Sequence, residues 1–217
     1  MNLEKARFNM VEQQIRTWMV LEPAALAVLS TVEREKFTPS PYQSLAYSDT
    51  EIPLAQGQTM LPPRIDARLM HDLHLQGHET VLEIGTGSGY LTALLARRAH
   101  QVVSLEIHPE LAQAAQANLR AAGVHNADVR VGHGALDKVS EAPFDAIVLG
   151  GSVAEVPQSL LQQLKVGGHL IAIVGHDHVM AATLFTRTAD AAWDTKALWD
   201  HTAPRLQGFA EPSRFKF

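Results

Sequence analysis

The stretch that most constrains this chain is Val81-Leu-Glu-Ile-Gly-Thr-Gly-Ser-Gly-Tyr90, an apolar run that halts at three alternating glycines and gives way to the alanine- and leucine-rich segment 91–99. The pattern predicts a strand, a tight turn and a helix, in that order. Glycine suits such a turn because it accepts positive φ and lacks a Cβ, so a ligand can approach the backbone while the next helix offers unpaired N–H groups. An anionic or polar cofactor group is expected there. The dinucleotide fingerprint G-x-G-x-x-G would put its last glycine at position 90, where the chain has Tyr90. Gly85, Gly87 and Gly89 follow G-x-G-x-G instead, which argues against a nicotinamide dinucleotide. A second apolar segment, 101–106, ends in an acid seventeen residues after Gly89, where a neighbouring parallel strand would present a carboxylate to ribose hydroxyls. Glu106 is therefore the expected ribose ligand.

From residue 80 onward the chain alternates between strand-like and helix-like segments: 80–84, 89–98, 101–106, 109–122, 128–131, 144–149, 157–164 and 169–174. Near-continuous apolar strands separated by helices predict a mostly parallel, doubly wound α/β sheet with its ligand at the carboxyl ends of the strands. Two further strands, 182–188 and 195–201, are expected to form an antiparallel edge hairpin. Upstream, loosely spaced apolar positions at Leu3, Ala6, Met10 and Ile15 predict an amphipathic helix over 2–17, and Pro23 opens a second helix ending near Ser30. The proline-broken stretch 38–63 is expected to be an ordered, functional loop. A helix over 63–75, closed by Gly77, follows. The organisation expected is an N-terminal helical and loop extension, 1–78, acting as a lid on a Rossmann-like domain, 79–217, the two forming one compact unit.

At 217 residues and a net charge of −5, the chain is sized for one substantial core and has no strong basic field, so neither nucleic acid nor an anionic membrane is an expected partner. The absence of cysteine excludes disulfides, thiolate catalysis and cysteine metal sites. With no apolar signal core and no run of membrane-spanning length, a cytoplasmic protein is expected. Oligomeric state stays open.

The combination E-x-G-x-G-x-G, with an acid closing the next strand, resembles the class I S-adenosylmethionine-dependent methyltransferases. More specific phrases are similar to the protein-L-isoaspartate O-methyltransferase family. They are Met10-Val-Glu-Gln-Gln-Ile15, Arg34-Glu-Lys-Phe37, Ala46-Tyr47-x-Asp49, Ile52-Pro-Leu-Ala-Gln-Gly57-Gln58-Thr59, Ala142-Pro-Phe-Asp-Ala-Ile147 and Gln163-Leu-Lys-x-Gly-Gly168. The resemblance implies methylation of the side-chain carboxylate of isoaspartyl residues, the first step in repairing damaged proteins. It also implies S-adenosyl-L-methionine as cofactor, against Glu83, Gly85, Thr86, Gly87, Ser88, Gly89, Glu106, Ile107, His133 and Gly134, and isoaspartyl proteins or peptides as partners.

Three departures fall on the family's site. Its G-x-T-I-S, whose serine is thought to contact the acceptor carboxylate, reads Gly57-Gln58-Thr59-Met60-Leu61 here; its G-D-G reads Gly132-His133-Gly134; and its run of threonine and alanines reads Gly150-Gly-Ser-Val-Ala-Glu155. Thr59 is the candidate catalytic residue, as a substitute hydroxyl donor, and His133 can accept from an adenine amino group through an unprotonated nitrogen. A methyltransferase with another acceptor, or a non-catalytic cofactor-binding module, would fit the same departures. His71, His74 and His78 lack the carboxylate of H-E-x-x-H and read as surface histidines, so no metal is expected. His176 and His178 read as a solvated loop or a substrate contact, Asp66 and Arg64 as helix-start charges, and Arg205 and Arg214 as solvated or carboxylate-binding. Trp193, Trp199, Phe209, Phe215 and Phe217 are expected to pack.

Overall fold

The structure is a computed structural model and describes residues 2–211; the expectations for Arg214, Phe215 and Phe217 lie outside the described residues. The glycine turn sits at the middle of a seven-stranded sheet. Its strands are β3 (Thr80–Ile84), β4 (Gln101–Glu106), β5 (Ala127–Val131), β6 (Phe144–Val153), β7 (Leu164–His176), β8 (Val179–Ala189) and β9 (Ala192–Asp200). Their spatial order is β5-β4-β3-β6-β7-β8-β9. The first five pair in parallel, and β8 and β9 add the antiparallel hairpin at one edge. Strand order reverses between β3 and β6, which opens a crevice at their carboxyl ends. Helices α4 (Tyr90–Ala96), α5 (Pro109–Ala121) and α6 (Gln158–Leu161) provide the crossovers. Val81, Leu82 and Ile84 are buried because both faces of β3 are covered, and Glu83 is buried among them.

The N-terminal extension contains α1 (Leu3–Asn9), α2 (Pro23–Thr31) and α3 (Pro63–Asp72), with a two-residue ribbon, β1 (Ile52–Pro53) against β2 (Thr59–Met60). The single helix expected over 2–17 is interrupted. After Asn9 the chain widens into a π-helical turn, Met10–Ile15, then tightens into a 3₁₀ turn that ends at left-handed Met19. The five-residue step from Met10 to Ile15 matches π spacing, which puts Met10, Val11 and Ile15 together on the buried side. Helix α3 stops before Gly77, because left-handed His74 reverses the chain between buried Leu73 and Leu75. The helix expected over 157–164 shrinks to α6, since β7 already begins at Leu164. One apolar cluster runs from Met10 through Leu69, Val81 and Ile171 to Ala203, so the extension and the sheet share a core. No helix among the described residues is long and apolar enough to cross a membrane.

Candidate active site

The turn after β3 is built on glycine for a measurable reason: Gly85, Gly87 and Gly89 have φ of 89°, 54° and 86°. Side chains rarely adopt that region, so each substitution would strain the backbone. Two backbone groups fix the turn against β4: the Gly85 N–H donates to Leu105 O at 2.8 Å, and the Gly87 N–H donates to Glu106 Oε2 at 2.8 Å. The other Glu106 oxygen accepts from the His108 N–H at 3.1 Å. Glu106 is thus held at the strand end with its carboxylate on the crevice wall.

A narrow cleft opens in this crevice. Gly85, Gly87, Glu106, Ile107 and Gly134 line it, together with Thr59 and Gln58 from the β1–β2 ribbon. Close packing also explains Gly134, where a Cβ would lie 2.1 Å from Ile84 Cγ2. A second, smaller cavity shares Thr59, Gly85, Gly87 and Gly150 with the first and adds Thr86, Ser88, Leu61, Asp66 and Tyr90. Thr59 stands at the junction of the two. Its hydroxyl is buried without a hydrogen bond of ordinary geometry, although the Glu51 carboxyl is near enough to be steadied by it.

Three residues of the expected cofactor set lie away from these walls. Glu83 is fully buried beneath the turn, where the Thr92 and Ser104 hydroxyls donate to its Oε2, the latter at 2.7 Å. Burial pushes its carboxyl up to about 8, against the pull of those hydroxyls, so it is neutral at pH 7. Gly89 packs against Ala115 on α5. The His133 ring packs against Gly208 rather than lining the cleft, its Nδ1 is buried without a partner, and its backbone N–H is taken by Asp137 at 2.6 Å.

Other residues reach the site unannounced. The segment after β9 folds back over the cleft: Ser152 N–H donates to Pro204 O, Leu206 N–H donates to Ser152 O, and Leu206, Gln207 and Phe209 form a roof. Leu206 fills the space where a Gly85 side chain would lie. Asp66 stands in the first turn of α3, as expected, but it is buried, with Arg34 Nη1 donating to its Oδ2 at 2.7 Å. The signal for it was present, since Asp66 falls on the apolar stripe of α3 with Leu69, Met70 and Leu73. For the roof there was none, because its contacts join residues more than 50 positions apart.

Elsewhere, Arg64 pairs with Asp49 and covers the Trp18 ring at 4.4 Å, whereas His176 and His178 are exposed at the β7–β8 turn. Arg205 donates to Gly175 O and pairs with Glu211. His71 is partly buried rather than on the surface. No cluster of three or more histidines, aspartates or glutamates among the described residues is placed to hold a metal.

The family model described as protein-L-isoaspartate(D-aspartate) O-methyltransferase matches residues 5–201. A protein-L-isoaspartate O-methyltransferase of Syntrophus aciditrophicus is 40% identical over 86% of this chain and 86% of its own length. One from Picosynechococcus sp. is 44% identical over 78% and 76%. Among solved structures, a Plasmodium falciparum beta-aspartate methyltransferase in complex with S-adenosyl-L-homocysteine superposes with a TM-score of 0.78, covering 95% of this chain and 99% of its own at 21% identity, which is a likeness of fold. Match length and identity together show that the chain belongs to the protein-L-isoaspartate(D-aspartate) O-methyltransferase family.

Proposed function

We infer that this chain transfers the methyl group of S-adenosyl-L-methionine to the side-chain carboxylate of isoaspartyl residues in damaged proteins. The relatives at about 40% identity carry the name of that activity, and they lend nothing to a different acceptor or a non-catalytic module. The observation that carries the reading is the position of the buried Thr59 hydroxyl, at the junction between the cleft walled by Glu106 and the cavity beneath the glycine turn.

The residues present fit the cofactor. Glu106 would hold the ribose hydroxyls, Ile107 and Gly134 the adenine side, and Gly85, Thr86, Gly87 and Ser88 the remainder, while Glu83 braces the turn from below and His133 closes the adenine end from behind. When bound, the cofactor supplies an electrophilic methyl on a sulfonium. The acceptor is already a carboxylate at neutral pH and needs no general base, so the protein's task is alignment and exclusion of water. Thr59 would donate to the acceptor carboxylate in place of the hydroxyl absent at Leu61, which spares that carboxylate the cost of burial without a partner. The β1–β2 ribbon that carries Gln58 and Thr59 belongs to the 1–78 extension, which acts as the lid on the 79–217 cofactor domain. The cytoplasm is the proposed compartment, where protein substrates would meet the enzyme.

Radiolabelled methyl transfer to an isoaspartyl peptide and to its normal aspartyl twin is the test. Selective labelling of the isoaspartyl peptide is expected. Binding of S-adenosylhomocysteine without transfer to either peptide would refute the acceptor assignment.

A further inference from the structure

The cavity beneath the glycine turn is walled by a cluster that methyl transfer, as derived above, leaves unused. Its carboxylate, Asp66, is only 5% exposed. Arg34 Nη1 donates to Oδ2, but Oδ1 accepts no hydrogen bond from the described residues, whereas a carboxylate offers about four acceptor sites. Arg34 is itself held in place, although its Nε–H is buried without a partner. It is completely buried, its Nη2 donates to Leu61 O, and its guanidinium lies 4.5 Å over the Tyr90 ring, which Phe37 contacts edge-on at 5.7 Å. Burial outweighs Arg34 and pushes the Asp66 carboxyl up to about 6, so the acid is under-compensated near neutral pH.

The form of the space says what would complete it. The other lining residues are apolar or neutral, Asp66 being the one charged side chain on the wall. Asp66 disfavours a second anion beside it, so the acceptor carboxylate that Thr59 would meet belongs at the junction of the two cavities and not against Asp66. This cavity shares Thr59, Gly85, Gly87 and Gly150 with the cofactor cleft, and Glu106 lines only the latter. A cofactor with its ribose at Glu106 would pass its other end beneath the turn toward Asp66, and in S-adenosylmethionine that end is an amino acid. Resting on the function proposed above, we infer that Asp66 is the counter-ion for the cofactor's α-ammonium group, with Arg34 and Tyr90 holding the acid in place. The same pairing distinguishes the full cofactor from nucleosides that lack the amino-acid end.

Calorimetric titration of the full chain and its Asp66→Asn variant tests this, using S-adenosylhomocysteine and 5′-methylthioadenosine, which has the nucleoside but no amino-acid end. The variant is expected to bind S-adenosylhomocysteine tenfold or more weakly while its affinity for methylthioadenosine stays within twofold. In the wild-type chain, S-adenosylhomocysteine affinity should fall by about tenfold per pH unit below pH 6, where the ammonium must displace a proton, with methylthioadenosine flat. The charged or titratable groups facing Asp66 are Arg34, Tyr90 of α4 and Glu83 of β3, and Glu83 titrates near 8, above that window. Should the variant fail to fold, the wild-type pH comparison of the two ligands decides alone. Equal weakening of both ligands, or of neither, overturns the inference. So does an unchanged affinity for S-adenosylhomocysteine with a raised KM for a lysine-bearing isoaspartyl peptide, which would assign the cation to the acceptor. Absence of any S-adenosylhomocysteine binding by the wild-type chain would overturn the cofactor reading itself, an outcome separate from selective loss in the variant.

Discussion

Replacing Glu83 by glutamine separates two roles that its place before the glycine turn would allow. The carboxyl is fully buried and raised from 4.5 to about 8, chiefly by desolvation. Because the folded-state value lies above the unfolded one, the native state holds a proton that the unfolded chain has released between those limits. Stability on this account is greatest below pH 4.5, declines as pH rises through the interval, and has lost its full increment above about 8. A shift of about 3.5 units at 1.36 kcal/mol each sets an upper limit of about 5 kcal/mol for that loss. Glu83→Gln removes the titration while its amide oxygen can still accept from Thr92 and Ser104. Urea unfolding of both proteins at intervals from pH 5 to 9 should show nearly equal stabilities at the acid end and a growing advantage for the variant toward pH 8. The histidines whose values burial lowers, His71, His169 and His201, contribute with the opposite sign but cancel in the difference. Affinity for S-adenosylhomocysteine should change by less than about threefold, because Glu83 braces the turn and does not line the cleft (roughly 0.6 kcal/mol by the tenfold-per-1.4 rule). Parallel pH profiles would refute the buried, protonated carboxyl, and a large affinity loss would put Glu83 back against the ligand.

Glu106→Ala removes the acceptor of the Gly87 and His108 N–H groups together with the proposed ribose contact, so calorimetry should show about 10- to 100-fold weaker binding of S-adenosylhomocysteine (about 1.5–3 kcal/mol). Thr59→Val should lower kcat/KM for an isoaspartyl peptide by about tenfold or more, the worth of one hydrogen bond to a charged group, and leave S-adenosylhomocysteine affinity nearly unchanged; equal activity would remove Thr59 from the acceptor site. Gly134→Ala drives a methyl into Ile84 and should cost about 1–3 kcal/mol, read as a fall of several degrees in melting temperature.

What the sequence determined by itself was whatever depends on near neighbours along the chain. The alternating glycines specified a left-handed turn, the apolar runs a sheet buried on both faces, and the spacing to Glu106 an acid on the adjacent strand. Each of these follows from backbone sterics or from side-chain periodicity within one element. Tertiary structure alone decided which polar groups face the cleft. Glu83, one residue short of the end of β3, accepts from Ser104 and Thr92 beneath the turn, while Glu106, the last residue of β4, borders the cleft. His133 keeps its place in the motif but turns its ring to Gly208, because the chain after Asp200 returns to pair with Ser152. Asp66 became a buried counter-ion only when Arg34, 32 residues earlier, was packed onto Tyr90. Burial, and with it the sign of each pKa shift, is fixed by atoms brought together from distant parts of the chain, and no local pattern carries that information.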